Sequence, residues 1–295
     1  LIMNSVEKLI LNMETIYDML TGIEKIGKVA DQPLDRMKGT SFREIDTGQG
    51  MSIDIRDLCF RFPNEEALTI KNINMSIASG ERICIAGYNR AGKSTLIHII
   101  SAFYEGYEGS LSYNGLPAKN INLNSLHRNI GEFTSQLDIF RGTVAENIRL
   151  QRGDFPVSDM IALAKEICLH HYIESLPNGY ETMLLPGGKN IPGSIRAKII
   201  LARAIAAQPK LFVMEDSFGR MERDDRMCII RYLTSPERNW TLLVVSDDPY
   251  FATQCDRVLI MRKGEIIEEG PFNKIRLGDN CRRVFYSTLE DLENE

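Results

Sequence analysis

The sequence predicts an α/β protein with a mostly parallel sheet, an inserted helical segment and a long N-terminal helix. From Met51 onward, short β-rich segments alternate with helical ones, which is typical of a sheet with helices packed on its faces. Before that point, apolar side chains recur at three- and four-residue steps, so residues 4–26 are expected to form a helix with one apolar stripe. A polar, turn-rich stretch over residues 31–50 indicates a linker between the two parts.

The β-rich segments are apolar runs bounded by turn residues, and each is expected to form a strand. The expected strands are Met51–Phe62, Ile73–Ile77, Glu81–Ala86, Ser110–Tyr113, Ile130–Thr134, Leu211–Met214, Thr241–Val245, Val258–Met261 and Glu265–Glu268. A helix is expected over Lys93–Phe103. Between residues 137 and 208 helical patterns dominate, which predicts a helical subdomain inserted into the sheet domain.

Composition excludes several classes of function. The chain has 295 residues, 43% hydrophobic and 25% charged, which is normal for a protein with a sizeable core. Its net charge is −5, which disfavours a nucleic-acid-binding protein that relies on a general basic field. The six cysteines stand singly and only four histidines are present, so neither a zinc ribbon nor a redox dithiol is expected. No apolar run approaches the roughly 18 residues that cross a bilayer.

One motif carries strong chemical information. The pattern G-x-x-x-x-G-K-[ST] follows the expected strand ending at Ala86 and opens the helix near Lys93. In such a loop successive backbone N–H groups surround a phosphate, and the helix N-terminus adds a favourable dipole. Lys93 is expected to reach the β- and γ-phosphates and Ser94 to coordinate Mg²⁺, so ATP and Mg²⁺ are the expected ligands. The loop residues are Gly87, Tyr88, Asn89, Arg90, Ala91, Gly92, Lys93, Ser94 and Thr95.

Further segments resemble a known family. Leu58–Pro63 is similar to an adenine-stacking aromatic loop, Phe133–Gln136 to a Q-loop, and Ile139–Ile148 and Leu176–Thr182 to patterns of exporters. With the phosphate loop, these segments resemble the nucleotide-binding domain of ATP-binding cassette (ABC) exporters from about residue 51 to 275. The resemblance implies a P-loop NTPase (RecA-like) core with a mostly parallel sheet, an antiparallel β subdomain and a helical subdomain at about 137–208.

The resemblance also implies roles for two further residues. Phe62 falls where the family usually has Tyr and would stack on adenine; the alternative is a core aromatic residue at a strand end. Gln136 would contact Mg²⁺ or the attacking water and sense the partner domain.

The loop that should clasp a partner's nucleotide departs from the family pattern. The family signature LSGGQ is replaced here by Ile191, Pro192, Gly193, Ser194 and Ile195. In the family this loop contacts the γ-phosphate held by the opposite subunit. Since Pro192 has neither a hydroxyl nor an N–H group, the loop is expected to bind that phosphate poorly.

The catalytic carboxylates are altered as well. The strand Leu211–Met214 is followed by Glu215 and Asp216, where the family has Asp then Glu. Glu215 would be the Mg²⁺ ligand, through water, and Asp216 the general base, each displaced by one methylene. Asp247 stands where the family has a switch histidine, and an ionised carboxylate cannot donate a hydrogen bond. Hydrolysis is therefore expected to be slow or lost.

The resemblance organises the chain into three parts. Residues 1–50 would extend a transmembrane helix into the cytosol and add a linker, residues 51–278 would form the nucleotide-binding domain, and residues 279–295 a helical tail. A self-packing or coiled-coil helix is the alternative for the first part.

The expected partners are a second nucleotide-binding domain, in a head-to-tail homo- or heterodimer, and a transmembrane domain encoded upstream. The chain would then lie at the cytoplasmic face of a bacterial inner membrane, with no nucleic-acid partner. Three functions stay open: an exporter subunit with slow hydrolysis, a non-catalytic module in which ATP is a structural or regulatory ligand, and a soluble ABC protein of repair or translation.

Overall fold

The computed structural model describes residues 2–31, 39–44, 48, 50–63, 65–134, 138–150, 155–216 and 218–285. The chain divides into two compact units, residues 1–37 and 38–295. The first unit contains helix α1 (Ile2–Ala30), which is longer than the predicted helix. Its apolar stripe is exposed to solvent at Met13, Ile16, Tyr17 and Leu20. In the described part of the chain, no helix combines the length and the apolar character needed to cross a bilayer.

The second unit alternates strands and helices. Its strands are β1 (Ile53–Phe60), β2 (Ile70–Ile77), β3 (Arg82–Gly87), β4 (Glu108–Tyr113), β5 (Leu116–Pro117), β6 (Ile130–Phe133), β7 (Gly142–Thr143), β8 (Met183–Leu184), β9 (Leu211–Glu215), β10 (Thr241–Val245), β11 (Arg257–Arg262) and β12 (Glu265–Gly270). Its helices are α2 (Lys93–Ile100), α3 (Leu123–His127), α4 (Val144–Arg149), α5 (Val157–Glu166), α6 (His170–Ser175), α7 (Gly193–Ile205), α8 (Arg223–Leu233), α9 (Pro249–Gln254), α10 (Phe272–Ile275) and α11 (Asp279–Phe285).

The strands form two main sheets. A six-stranded sheet has the order β12-β11-β3-β10-β9-β6, in which β12 alone runs antiparallel to its neighbour. A second, antiparallel sheet has the order β2-β1-β4-β5. Helices α4 to α7 fall between β6 and β9 in the chain. The predicted α/β class, with a mostly parallel sheet, an antiparallel sheet and a helical insertion, is confirmed.

The six-stranded sheet is buried on both faces. Along β3, Ile83 and Ile85 pack into the core shared with the antiparallel sheet, while Cys84 and Ala86 pack into the core shared with the helical insertion. Successive side chains of a strand point to opposite faces, so each central strand serves both cores. This explains why these strands are continuous apolar runs rather than alternating ones.

Several predicted boundaries are wrong. Strand β1 ends at Phe60 rather than Phe62, and β2 begins at Ile70 rather than Ile73. Helix α2 ends at Ile100 rather than Phe103. The helical insertion also contains the short β7–β8 pair, which the sequence did not predict. The central strands have another feature in common that matters for function: the parallel strands β3, β9 and β10 all end at one edge, where ligands of open α/β sheets bind.

Candidate nucleotide site

The phosphate-loop motif lies between β3 and α2, as the sequence predicts. A Cβ on Gly87 would overlap the carbonyl oxygen of Met261 on the neighbouring strand β11, so only glycine fits there. Gly92 caps α2 with φ 93°, a left-handed conformation that favours glycine. The helix has no side-chain cap, so its first N–H groups face the loop without a side-chain acceptor. Such N–H groups form a ready anion site.

Lys93 lies at the centre of this loop. Its ammonium group donates hydrogen bonds to the carbonyl oxygens of Gly87 and of Tyr88, the latter at 3.3 Å, and its side chain is 13% exposed. The cation is therefore folded over the loop whose N–H groups would hold a phosphate. This is the position from which a loop lysine can contact a bound phosphate chain.

Glu215 ends strand β9 and lies near Ser94. Both residues line one open cavity of about 570 Å³, together with Asp216, Ser246 and Asp247. The Oε1 atom of Glu215 is buried without a hydrogen-bond partner among the described residues. A hydroxyl and an unpartnered carboxylate oxygen in one cavity are donors of the kind that Mg²⁺ prefers, so these residues fit the ion.

Both carboxylate oxygens of Asp216 accept hydrogen bonds from protein donors. Its Oδ1 accepts from the N–H of Phe218 at 2.9 Å, and its Oδ2 accepts from Ser246 Oγ at 2.6 Å and from Arg226 at 3.2 Å. Arg226 also pairs with Asp248, and the Asp216 side chain is only 8% exposed. The expected general base is thus a buried, ion-paired carboxylate.

Asp247 lies directly over the phosphate loop. Its Oδ1 accepts a hydrogen bond from the N–H of Gly87 at 3.2 Å, and its Oδ2 is 3.9 Å from the ammonium of Lys93. The loop that follows β10 is tied to the sheet because Ser246 donates its N–H to Ile85 at 3.2 Å. The residue in the switch-histidine position therefore contacts the two groups that define the phosphate loop.

Glu132 is a site neighbour that the sequence interpretation missed. It lies on β6, next to β9, and burial together with the charge of Glu215 raises the pKa of its carboxyl above the ordinary value of 4.5. His98 on α2 is 3.9 Å away. The available signal was a carboxylate inside the apolar strand Ile130–Phe133, since an ionisable residue in such a strand is rarely without a role.

Phe62 lies just beyond the end of β1 and is half-buried. Its ring makes edge contacts with Phe60 at 5.1 Å and Tyr104 at 5.5 Å between ring centroids. Phe60 and Tyr104 are in turn stacked at 5.7 Å. Phe62 therefore belongs to an aromatic cluster with Phe60 and Tyr104, and its adenine contact stays a prediction.

The degenerate signature loop begins helix α7. Pro192 occupies the N-cap position without a side-chain hydrogen bond, and no atom would meet a Cβ on Gly193 within 4 Å. None of the loop residues, Ile191, Pro192, Gly193, Ser194 or Ile195, lines the cavity that holds Ser94 and Glu215. The five residues are therefore not part of the cavity lining in a single copy of the chain. Gln136 lies outside the described residues, so its role stays a prediction.

The family model described as ABC transporter matches residues 70–218. The matched range includes the phosphate loop, the helical insertion and strand β9, and it covers half of the chain. This chain belongs to the ABC transporter family.

Curated relatives extend the similarity over most of the chain. The uncharacterized ABC transporter ATP-binding protein YfiC of Bacillus subtilis (strain 168) is 28% identical over 283 residues, covering 95% of this chain and 46% of that protein. The leukotoxin export ATP-binding protein LtxB of Aggregatibacter actinomycetemcomitans is 29% identical, covering 92% and 38%. The putative multidrug export ATP-binding/permease protein SAOUHSC_02003 of Staphylococcus aureus (strain NCTC 8325 / PS 47) is 27% identical, covering 88% of this chain and 45% of that protein. The chain spans less than half the length of these relatives.

The fold has a close match among solved structures. A bacterial Atm1-family ABC exporter with ATP bound superposes with a TM-score of 0.79 at 18% identity, covering 95% of this chain and 48% of that one. At this identity the match is evidence for the fold alone.

Proposed function

We propose that this chain is the ATP-binding part of an exporter-type ABC half-transporter, which couples ATP binding and slow hydrolysis to transport. The observation that carries the proposal is Lys93, folded over the phosphate loop beside a cavity that Ser94 and Glu215 share. Two of the similar relatives are export proteins by name, and the chain spans under half of each. The part of each relative that this chain does not cover leaves room for a transmembrane domain.

The proposed organisation follows that of a half-transporter. Residues 1–50 would connect to the membrane domain, residues 51–278 would bind nucleotide, and residues 279–295 would form a tail. Two nucleotide-binding domains would associate head to tail at the cytoplasmic face of a bacterial inner membrane. Each site would then receive the signature loop of the partner, which fits the finding that residues 191–195 do not line the phosphate cavity of their own chain.

The proposed binding step uses the phosphate loop. The N–H groups at the start of α2 and the ammonium of Lys93 would hold the phosphates, and Phe62 would stack on the base. Ser94 and Glu215 would hold Mg²⁺, the latter through water, with Gln136 as a further contact. When bound, Mg²⁺ neutralises charge on the phosphate oxygens.

The hydrolytic step would be slow because the general base is occupied. A water molecule activated by Asp216 would share the carboxylate with Ser246, Phe218 and Arg226, whose hydrogen bonds stabilise its ionised form and make it a weaker base. Asp216 is also one methylene shorter than the glutamate of the family, and a displacement of about 1 Å can cost about a hundredfold in rate. Asp247 cannot donate the hydrogen bond that a histidine would give to a phosphate.

The proposal is tested by restoring the family residues. The double variant Asp216→Glu/Asp247→His should hydrolyse ATP about tenfold to a hundredfold faster than the wild type, measured by phosphate release at saturating Mg·ATP. Lys93→Ala sets the background, since it should abolish nucleotide binding. A wild type that already turns over at 1 s⁻¹ or faster, within the range of about 1–10³ s⁻¹ typical of enzymes, and does not respond to the double change would contradict slow hydrolysis.

Binding and turnover separate the alternatives. ATP binding that Lys93→Ala abolishes, with wild-type phosphate release equal to the Lys93→Ala background, would indicate the non-catalytic module instead. Failure of the wild type to bind any nucleotide would overturn the proposed function altogether.

A further inference from the structure

The carboxylate of Asp247 lies against the phosphate loop and beside its lysine. It accepts the N–H of Gly87 at 3.2 Å and lies 3.9 Å from the ammonium of Lys93. A backbone N–H and a lysine ammonium are the donor types that hold phosphate oxygens in such loops. The protein therefore places a negative group of its own beside Lys93, the cation that a γ-phosphate would also approach.

The other charged groups of the cavity do not replace Lys93 as the partner of Asp247. Arg226 is already shared between Asp216 at 3.2 Å and Asp248 at 2.5 Å, so its charge is balanced within the site. Glu215 adds a further carboxylate to the same cavity. Among the described residues, Lys93 is the cation that forms an ion pair with Asp247, and a bound phosphate chain would contact the same ammonium.

A nucleoside diphosphate and a nucleoside triphosphate would contact Lys93 differently. The backbone N–H groups of a phosphate loop surround the α- and β-phosphates, whereas the lysine reaches the β- and γ-phosphates. A diphosphate can therefore occupy the N–H groups while Asp247 stays beside Lys93. A triphosphate brings a γ-phosphate to the same ammonium, where it meets the carboxylate of Asp247 at like charge.

We propose that Asp247 makes this site prefer nucleoside diphosphates over nucleoside triphosphates, an inference that rests on the proposed nucleotide-binding function. The Asp247 side chain is 49% exposed, so it can move into solvent and admit a triphosphate at a cost in affinity. Asp247 is accordingly a specificity-determining residue that contacts the phosphate loop. An ADP-bound state would be favoured over an ATP-bound state at equal concentrations.

The experiment compares dissociation constants for ADP and for a non-hydrolysable ATP analogue, each with Mg²⁺, on the full chain. The wild type should bind ADP about tenfold more tightly, the size expected when two charges about 4 Å apart are partly exposed to water. Asp247→Asn keeps the shape and the acceptor for Gly87 but removes the charge. It should tighten analogue binding about tenfold and leave ADP binding within about threefold.

A matched control is Glu237→Gln, which also removes one negative charge. Glu237 is exposed and precedes β10, at the edge of the sheet opposite to Asp247. This variant should keep the wild-type preference, and Asp247→Ser should reproduce the shift seen with asparagine. An unchanged ratio of dissociation constants in both Asp247 variants would overturn the inference while leaving nucleotide binding intact. If the wild type bound neither ADP nor the ATP analogue, the inference and the proposed function would both be overturned.

Discussion

At the scale of single residues, the altered carboxylates of this site differ in their surroundings. The sequence gives the order Glu215 then Asp216, but it does not say which carboxylate is available to a ligand. Asp216 has both oxygens bound by protein donors, whereas Glu215 keeps one buried oxygen without a partner among the described residues. We therefore expect Glu215 to serve a ligand more readily than Asp216.

Glu132 gives a pH-dependent prediction at the same scale. Burial and the nearby charge of Glu215 raise the pKa of its carboxyl, so the folded state holds this proton to higher pH than the unfolded state. The contribution of Glu132 to the free energy of unfolding is therefore largest at acidic pH. It falls as pH rises above about 4.5 and levels off beyond the folded-state pKa.

The measurement is urea denaturation of the wild type and of Glu132→Gln between pH 4 and pH 8. Glutamine has no such proton, so the stability of the variant relative to the wild type should increase with pH across this window. A difference in free energy that is independent of pH would contradict the assignment. Glu237→Gln, at an exposed position, controls for the loss of a surface charge.

At the scale of elements, the start of α7 shows how one substitution changes a helix end. A serine at an N-cap position can accept a hydrogen bond from the helix start, whereas Pro192, at φ −59° and ψ 149°, has no side-chain acceptor. The first N–H groups of α7 consequently have no side-chain partner. The sequence predicts that the altered signature binds phosphate poorly, but the missing helix cap is visible only in the structure.

Restoring the cap should stabilise the protein. We expect Pro192→Ser to unfold with a free energy about 1 kcal/mol higher than Pro192→Ala, because serine accepts a hydrogen bond from the helix start and alanine does not. Comparing the two variants with each other removes the effect of losing proline from the unfolded chain. Urea denaturation checks this prediction, and equal free energies for the two variants would contradict it.

Most element types were predictable from the sequence, the β7–β8 pair being an exception, and several element ends were not. The predicted helix Lys93–Phe103 stops at Ile100 because Ala102 adopts φ 59° and Phe103 donates its N–H back to His98. This is a helix-ending turn that usually contains glycine, and without glycine the sequence gives no stop signal. Met51 is fully buried, as a strand residue would be, yet it lies outside β1 and donates its N–H to Lys210. Hydrophobicity thus predicts that Met51 is buried, whereas the position of neighbouring backbone groups decides which hydrogen bond it forms.

At the scale of the whole molecule, the candidate site belongs to the second unit. The buried residues of both core clusters lie between Phe42 and Phe285, and so do the described residues of the site. We therefore expect a fragment of residues 38–295 to fold and to bind nucleotide with a dissociation constant within about threefold of the full chain.

Isothermal titration with ADP tests this fragment, and Lys93→Ala in the same fragment provides the control without binding. A fragment that folds but binds more than about tenfold more weakly would show that residues 1–37 contribute to the site. A fragment that does not fold would contradict the assignment of both core clusters to one autonomous unit.

The sequence by itself determined the α/β class, the phosphate loop and the family resemblance, because these depend on periodicity and on residue types at fixed spacing. Only the tertiary structure decided what the altered residues contact. Asp247 pairs with Lys93, and the charge of Glu215 acts on Glu132, because strands remote in sequence lie side by side in one sheet. Asp216 pairs with Arg226 of helix α8, which follows it in the chain. The physical reason is that an electrostatic interaction depends on distance and burial, and both are set by the packing of elements far apart in the chain.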